Sequence, residues 1–449
     1  MNLHCMEKNL TEGSIVKNVV AFSLPYLLSY FLQTLYGMAD LFIIGQFEGV
    51  DATTAVSVGS QIMHVLTVTL VGLAMGATVS IGQSVGAGNK RESALNIGNT
   101  VTLFMSLSVV LTVLLLCLVR PIVSAMSTPT EAVDGTIRYL VICFIGIPCI
   151  VAYNITASIF RGMGDSKTPM YFIAVACVVN IVLDYVFMGA MHLGPIGAAF
   201  GTIIAQAVSV ALSLWVIRRQ QTGIVLARAD FKPQRQTLGK ILSVGIPVSL
   251  QEGFIQISFL IITIIANRRG LTDAAAVGIV EKIMSFMFLV PSSMMSTVAA
   301  LGAQNIGAQK PERAVATLKC AICIAFGLGL IIASAVTLSA VHIVSLFTAD
   351  SLVAVAGAQY LRGYVLDSVF GGVQFSFSGY FNAIRRSELS FLHNILSIIF
   401  VRVPGAYFAS KFFPDNLFPM GLASTFGSLL SVAVCLIAFA LIRRKPAKS

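Results

Sequence analysis

The sequence predicts an all-α integral membrane protein with twelve transmembrane helices in two pseudo-symmetric six-helix bundles. Its 449 residues are 57% hydrophobic and only 11% charged, with a mean hydropathy of +0.88, whereas a soluble chain carries about 25% charge. Long stretches such as residues 101–118 and 429–442 have no polar face, which argues against a large soluble helical protein. A third observation is that the two halves of the chain repeat one another.

Apolar runs interrupted by charges or by glycine, proline and asparagine clusters define the spans. Several runs are longer than a bilayer requires, so we expect tilt or kinks. The predicted spans are residues 16–45, 53–80, 94–118, 135–160, 168–190, 195–217, 239–267, 273–300, 314–346, 355–383, 389–411 and 418–442.

Basic residues are concentrated in alternate connections between these spans. One set of connections contains pairs such as Lys90 with Arg91 and Arg385 with Arg386, whereas the opposite set has few basic residues. The positive-inside rule therefore places the first set, and both termini, in the cytoplasm of a multi-pass protein of the bacterial inner (plasma) membrane. The net charge of +10 lies mostly in these short connections, so we expect no nucleic-acid partner.

Matching motifs recur in the two halves. Gln83-x-x-Gly86-Ala87 near the end of the second span returns as Gln304-x-x-Gly307-Ala308 near the end of the eighth. Pro25 and Pro247 are separated by nearly the same offset, about 221 residues. Because six spans is an even number, both halves insert in the same sense, which predicts two bundles related by an axis along the membrane normal.

The longest polar stretch separates these halves and predicts the domain boundaries. We expect an N-terminal lobe over residues 1–220, a cytoplasmic linker over 221–238, and a C-terminal lobe over 239–449. Enzyme signatures such as H-E-x-x-H, G-x-S-x-G and a P-loop are absent from the sequence, so we predict no enzymatic activity and no cofactor. The histidines and cysteines lack metal-ligand spacing, so no metal centre is predicted, apart from possible Na⁺ binding by acidic residues discussed below.

Five acidic residues fall inside predicted spans. A charged side chain in the hydrocarbon region costs about 3 kcal/mol or more, so each is a candidate functional residue. They are Asp40, Asp184, Glu252, Glu281 and Asp367.

Asp40 and Asp184 are predicted at a similar depth in the outer half of the bilayer, at 1.5 Å of rise per residue. Polar residues are expected beside them, namely Tyr36 one turn from Asp40, Asn180 one turn from Asp184, and Thr202 and Tyr139 at the same level. Two neighbouring carboxylates would hold a proton or a cation such as Na⁺ between them. The alternative is that they only cross-link helices through hydrogen bonds.

Pro25 is predicted to bend the first span below this cluster.

Glu252 and Glu281 lie nearer the midplane of the second lobe, where one of them could bind a cationic substrate. The alternative is an internal ion pair with Lys282, Arg362 or Arg402. Gln256 and Asn154 are the other polar residues predicted to contact substrate.

Motifs along nearly the whole chain resemble the multidrug and toxic compound extrusion (MATE) family. In the first half these are Ser23-Leu-Pro25, Tyr36-Gly-Met-Ala-Asp40, Gln83-x-x-Gly86-Ala87, Arg161-Gly-Met-Gly-Asp165, Asn180-x-x-x-Asp184 and Gly194-Pro-x-Gly197, and in the second Gly245-Ile-Pro247 and Gln304-x-x-Gly307-Ala308. The resemblance implies two six-helix lobes around a cleft that opens alternately to each side.

The resemblance also implies a branch and a function. Asp40 with Asn180, Asp184 and Thr202 resembles the DinF-type arrangement, in which these positions form the coupling site. The NorM-type branch places carboxylates in spans seven and ten, where this chain has about Ile255 and Gly371. The resemblance therefore implies an antiporter that exports organic cations or amphiphilic drugs in exchange for H⁺ or Na⁺.

An alternative function is the flipping of a lipid-linked precursor, which related two-lobe families perform. Such a flippase would need clustered arginines for an anionic headgroup, but the first lobe offers mainly acids. The expected partners are small cationic or amphiphilic substrates and membrane lipids, and we expect a monomer.

Overall fold

Helices joined by short connections make up the part of the chain that the computed structural model describes, residues 10–219 and 224–444, and no β-strand occurs among them. Residues 1–9 and 445–449, at the predicted cytoplasmic termini, and residues 220–223, at the start of the predicted linker, lie outside this description.

The first half of the described chain contains seven α-helices, a 3-10 turn at Thr130–Ala132 before the fourth, and a π-helix at Tyr185–Ala190 after the sixth. The α-helices are α1 Ile15–Phe47, α2 Val50–Gly86, α3 Lys90–Ala125, α4 Val133–Ile145, α5 Ile147–Gly162, α6 Lys167–Asp184 and α7 Gly194–Arg219.

The second half begins with a 3-10 turn at Arg228–Phe231 and has its own π-helix at Ile398–Arg402. Its α-helices are α8 Arg235–Asn267, α9 Leu271–Met287, α10 Leu289–Gly307, α11 Pro311–Leu338, α12 Ala340–Ser345, α13 Ser351–Tyr364, α14 Leu366–Ala383, α15 Ser387–Ser397, α16 Val403–Phe412 and α17 Phe418–Arg444.

Ten helical segments of the described chain are long and apolar enough to cross a membrane. The predicted fourth span is the pair formed by the Thr130–Ile145 segment and α5, which are bent by 50° at Gly146. The predicted tenth span is divided between α13 and α14 at Val365. Helix ends follow local signals: the Asn89 side chain accepts a hydrogen bond from the Glu92 amide at 3.0 Å and so caps α3.

The described chain divides into two compact units, each with its own apolar core. Unit 1 takes in Leu24–Gly245 with Gly307–Gln309, and in it α2 packs on α4 and α5 while α6 packs on α7. Unit 2 takes in Glu12–Ser23, Ile246–Ile306 and the chain from Lys310, and in it α11 packs on α14 and α13 on α17.

Two long helices each begin in one unit and continue in the other. α1 belongs to unit 2 as far as Ser23 and to unit 1 from Leu24, and α8 belongs to unit 1 as far as Gly245 and to unit 2 from Ile246. Each change falls one residue before a proline, Pro25 in α1 and Pro247 in α8. The predicted lobe boundaries followed chain order and did not include this exchange.

The segments that precede α1 and α8 each form polar contacts with a helix of the same unit. In unit 1, Asp230 pairs with Arg91 of α3 at 2.5 Å, and the Asn99 amide of α3 donates to the Asp230 carbonyl at 3.0 Å. In unit 2, the Arg313 guanidinium of α11 donates to the carbonyls of Glu12 and Gly13 at 2.7 and 2.8 Å. The described part of the predicted linker is therefore anchored along α3.

Candidate coupling site

Two carboxylates of unit 1 are buried in the apolar interior of the span region. Asp40 is on α1 and is 4% exposed, and Asp184 is the last residue of α6 and is fully buried. Asp184 is followed at once by the π-helix Tyr185–Ala190. A π-helix in a longer helix is frequent at functional sites, because the wider turn frees backbone groups and redirects side chains.

The polar residues predicted around these acids are brought together. Thr202 of α7 donates a hydrogen bond of 3.4 Å to Asp40, and Asp184 and Asn180 also lie within interaction distance of the Asp40 carboxyl. Within the described chain, one Asp40 oxygen, both Asp184 oxygens and both Asn180 amide atoms have no hydrogen-bond partner. Buried polar atoms normally have partners, so this cluster has the capacity to bind something more.

Two tyrosines complete the cluster on the side of α1 and α4. Tyr36 interacts with Asp40 and with Gln206 of α7, and Tyr139 interacts with both Asp40 and Tyr36. Tyr139 can lie here because its ring packs directly against Gly59 of α2. All six residues predicted for the coupling site therefore lie in one cluster.

Gly201 and Gln206 of α7 are two neighbours that the sequence analysis did not single out. A Cβ atom at Gly201 would collide with the Asp184 carboxylate and would approach the Asn180 amide nitrogen at 3.6 Å. A glycine is needed here because the backbone of α7 approaches the acid directly. The spacing of Gly194, Gly197 and Gly201 along α7 was the signal available in the sequence.

The cluster has acids and neutral polar groups but no base. In the described chain neither Asp40 nor Asp184 forms an ion pair. Carboxylate, amide and hydroxyl oxygens suit either a shared proton or a hard cation. A multi-acid metal centre does not fit, since the described residues contain no group of three His, Cys, Asp or Glu side chains placed to hold one.

Unit 2 also contains a buried acid, but this acid has a basic partner. Arg402, at the end of the second π-helix, pairs with the fully buried Asp367 at 2.5 Å. Ser428 of α17 donates a hydrogen bond to the other Asp367 oxygen, and the Arg402 guanidinium lies 5.5 Å from the centre of the Phe259 ring. An internal arginine thus neutralises the buried aspartate of unit 2.

The two glutamates of unit 2 lie at different levels. Thr263 of α8 is within 3.3 Å of both Glu281 oxygens and donates to this carboxylate, and Thr263 lies about three turns beyond Glu252 on α8. Neither glutamate belongs to an ion pair in the described chain. The two arginines predicted as alternative partners of these glutamates have other partners, since Arg402 binds Asp367 and Arg362 donates to the Thr337 carbonyl at 3.4 Å.

The remaining predicted residues belong to different units. Gln256 is one turn from Glu252 on α8, whereas Asn154 is on α5 of unit 1, where its amide donates to the Ile150 carbonyl at 2.8 Å. Pro25 lies inside α1, which is one continuous helix, and the Ser29 hydroxyl donates to the Pro25 carbonyl at 2.8 Å.

Comparison with known proteins connects this geometry to a family. The MatE family profile matches the chain twice, over residues 25–186 and 247–408. The first match contains Asp40 and Asp184, and the second begins at Pro247, the counterpart of Pro25. The chain belongs to the MatE, or MATE, family. It is therefore a multi-pass membrane transporter and not an enzyme.

Relatives of this MATE protein extend over almost its whole length. It is 27% identical to the probable multidrug resistance protein YpnP of Bacillus subtilis over 93% of this chain and 94% of the relative. It is 23% identical to the multidrug export protein MepA of Staphylococcus aureus over 96% and 94%. A solved outward-facing MATE transporter superposes with a TM-score of 0.90 at 24% identity, over 97% of this chain and 98% of that one. This likeness confirms the predicted fold class of twelve helices in two bundles.

Proposed function

We propose that this MATE transporter exports organic cations or amphiphilic drugs in exchange for H⁺ or Na⁺, with Asp40 and Asp184 as the coupling site. The observation that carries the proposal is the pair of buried acids in unit 1, which has several unpartnered oxygens and no base. A buried carboxylate pair cannot stay fully ionised without compensation. The pair must therefore take up a proton or a cation. Coupled transport requires such an ion to bind and dissociate reversibly.

The comparison between the units supports confining the coupling to unit 1. The acid of unit 2, Asp367, already has a permanent cationic partner in Arg402, so it has no need of an exchangeable one. Alternating access would then rest on a change in unit 1 when the pair gains or loses its ion. The prolines of α1 and α8, one residue inside each unit, are suitable places for helix bending.

Several finer assignments belong to this proposal. Glu252, Glu281, Gln256 and Asn154 are proposed to contact the substrate, and the names of the relatives support drug-like substrates. The DinF-type branch, the cytoplasmic termini, the lobe boundaries and the monomeric state remain predictions. A lipid-precursor flippase is disfavoured because the buried arginine of unit 2 is held by Asp367 rather than left for an anionic headgroup.

The deciding experiment is efflux of ethidium from proteoliposomes, driven in separate preparations by a pH gradient and by a sodium gradient. The wild-type protein should respond to at least one gradient, and Asp184→Asn should respond to neither while remaining folded and inserted. Asp134→Asn, at an exposed acid that makes only a loose pair with Arg138 at 4.0 Å, serves as the matched control. Normal gradient-driven efflux by the Asp184→Asn variant would show that the coupling site is not in unit 1.

A further inference from the structure

The sequence contains a single tryptophan, and this residue lies one turn before the end of α7. Trp215 is 50% exposed, and α7 ends at Arg219. The charge bias predicts that this end of the helix is cytoplasmic. Tryptophan is enriched at membrane–water interfaces, because its ring suits the acyl chains and its N–H group suits the headgroups. Trp215 is therefore at the level of the lipid headgroups.

Arg219 stacks on the ring of this tryptophan. Its guanidinium carbon lies 4.6 Å from the ring centre, which is a cation–π contact. A guanidinium that rests on a ring by its face keeps its N–H donors, because they point outward in its own plane. Neither Arg219 nor the adjacent Arg218 belongs to an ion pair within the described chain, and residues 185–229 contain no acid. This exposed positive charge can therefore bind an anion.

The start of α6 adds a basic residue at the same level. The two helices pack antiparallel, and the Ser209 hydroxyl of α7 donates to the Phe172 carbonyl of α6 at 3.0 Å. Counted from this contact, Lys167 is level with the turn of α7 that contains Trp215. Lys167 is exposed and has no ion pair with a described residue. The nearby Asp165 caps α6, since its carboxylate accepts from the Lys167 amide at 2.9 Å.

Both helices expose an aromatic ring and a base in the same order across the membrane edge. In α6, Lys167 is followed one turn later by Tyr171, which is 47% exposed. In α7, Trp215 is followed one turn later by Arg219. Because the helices are antiparallel, each ring lies on the hydrocarbon side and each base on the cytoplasmic side. A phospholipid has the same order, with its acyl chains inside and its phosphate at the surface.

Unit 2 repeats the stacked pair of α7 but neutralises its charge. Counted from the Pro-x-Gly motif near the start of each helix, Phe439 and Arg443 of α17 occupy the positions of Trp215 and Arg219. The Arg443 guanidinium carbon lies 5.7 Å from the centre of the Phe439 ring. Arg443 also pairs with Glu312 at 3.7 Å, whereas Arg219 has no acid in the described chain. The unpaired charge is therefore a property of unit 1 and not of the repeated motif.

We propose that Trp215, Arg219 and Lys167 form a binding site for the headgroup of an anionic phospholipid in the cytoplasmic leaflet. The lipid phosphate accepts hydrogen bonds from the two bases, and Arg218 adds positive charge beside them. The rings of Trp215 and Tyr171 contact the glycerol and the upper part of the acyl chains.

The chemistry of the site selects between the two common kinds of phospholipid. Phosphatidylglycerol carries a net negative charge that the basic residues attract, whereas the choline of phosphatidylcholine brings a positive charge that they repel. The occupant is a lipid because these side chains are on the outer surface of membrane-spanning helices at headgroup level. The inference goes beyond the proposed function and does not depend on it.

The test uses the full-length protein in proteoliposomes. Trp215 is the only tryptophan in the sequence, so tryptophan fluorescence reports directly on this site. Brominated acyl chains quench tryptophan on contact. Quenching by brominated phosphatidylglycerol and by brominated phosphatidylcholine, compared at equal mole fraction, gives the relative affinity of the site for the two lipids.

We expect the wild-type protein to prefer phosphatidylglycerol by about threefold or more at low salt. Arg219→Gln should reduce this preference by at least about twofold, because it removes one of the bases that contact the phosphate. Arg443→Gln is the matched control, since it removes the same charge from the counterpart position in unit 2. This control should keep the wild-type preference.

Three results would overturn the site. They are equal quenching of the wild-type protein by the two lipids, a wild-type preference in Arg219→Gln, and an equal loss of preference in Arg443→Gln. Relief of quenching by soluble glycerol phosphate would also overturn it, by assigning the site to a soluble anion. If Arg219→Gln fails to fold, Lys167→Gln decides the matter, because the site requires a weaker preference in this variant too. None of these measurements involves transport, so they leave the proposed function untouched.

Discussion

Arg402 lies 2.5 Å from Asp367 inside unit 2, and both side chains are almost completely buried. In unit 1, Asp184 is a buried acid without a base, beside a second acid. The repeat has thus kept buried charge in both halves but has compensated it differently. Unit 2 contains its own cation, Arg402, and we propose that the acids of unit 1 depend on an ion from solution. Under the proposed function, this asymmetry lets unit 1 respond to an ion gradient while unit 2 keeps its packing.

Breaking the pair in unit 2 should destabilise the protein. Asp367→Asn leaves the Arg402 charge buried without a partner, and such losses cost about 3–5 kcal/mol. Thermal unfolding in detergent should show a clear fall in the midpoint temperature. Glu388→Gln, in the exposed pair with Arg386 at 3.5 Å, should change stability by less than about 1 kcal/mol. Equal effects of the two substitutions would contradict the structural role assigned to Asp367.

Removal of either acid of unit 1 should abolish coupling without loss of the fold. Asp40→Asn keeps the shape of the side chain and a partner for Thr202 but cannot exchange a proton or cation. Ethidium efflux driven by an ion gradient should fall to the level of protein-free liposomes, whereas Glu252→Gln should retain activity or lose it for some substrates only. If Glu252→Gln were the inactive variant and Asp40→Asn the active one, coupling would belong to unit 2.

Gly201 should tolerate no side chain. The added methyl group of Gly201→Ala would collide with the Asp184 carboxylate, and relief of such overpacking costs about 1–3 kcal/mol. We expect lower thermal stability and a loss of gradient-driven efflux, because Asp184 must move away from Asp40. Gly327→Ala is the matched control, since a Cβ atom there meets nothing within 4 Å. It should be neutral or slightly stabilising in the middle of α11, and a neutral Gly201→Ala would disprove the close approach.

The segment before α8 should unfold from α3 when Asp230 is removed. Asp230→Ala loses the 2.5 Å ion pair with Arg91 and the bond of 2.8 Å that its carboxylate accepts from the Ala227 amide. We expect faster limited proteolysis between residues 224 and 234, with little change elsewhere. An unchanged cleavage rate would show that the backbone contacts of Asn99 alone hold this segment.

The repeat predicts that residues 90 and 310 face the same side of the membrane. Single cysteines introduced at these positions should both react with a membrane-impermeant maleimide in inside-out vesicles and not in intact cells. Labelling from opposite sides would be incompatible with two halves inserted in the same sense.

Local and periodic features of the sequence were sufficient for much of this description. Long apolar runs determined the number and order of the spans, because hydrocarbon permits few polar interruptions. The motif repeat anticipated the two profile matches that begin at Pro25 and Pro247. Asp40 and Asp184 could be picked out because an ionisable residue is conspicuous in an apolar run, and the spacing of Asn180 from Asp184 placed both on one helix face.

Only the tertiary structure could decide which charges are compensated. Arg402 was a candidate partner for the glutamates, but it pairs with Asp367, which lies on another helix. The contact of Arg161 with Tyr26, the close approach of Gly201 to Asp184, and the exchange of α1 and α8 between the units were likewise beyond the sequence. The physical reason is that helix periodicity determines the face on which a side chain lies, whereas the packing of helices distant in sequence determines which residues that face contacts. These contacts decide whether a buried charge has a partner within the protein.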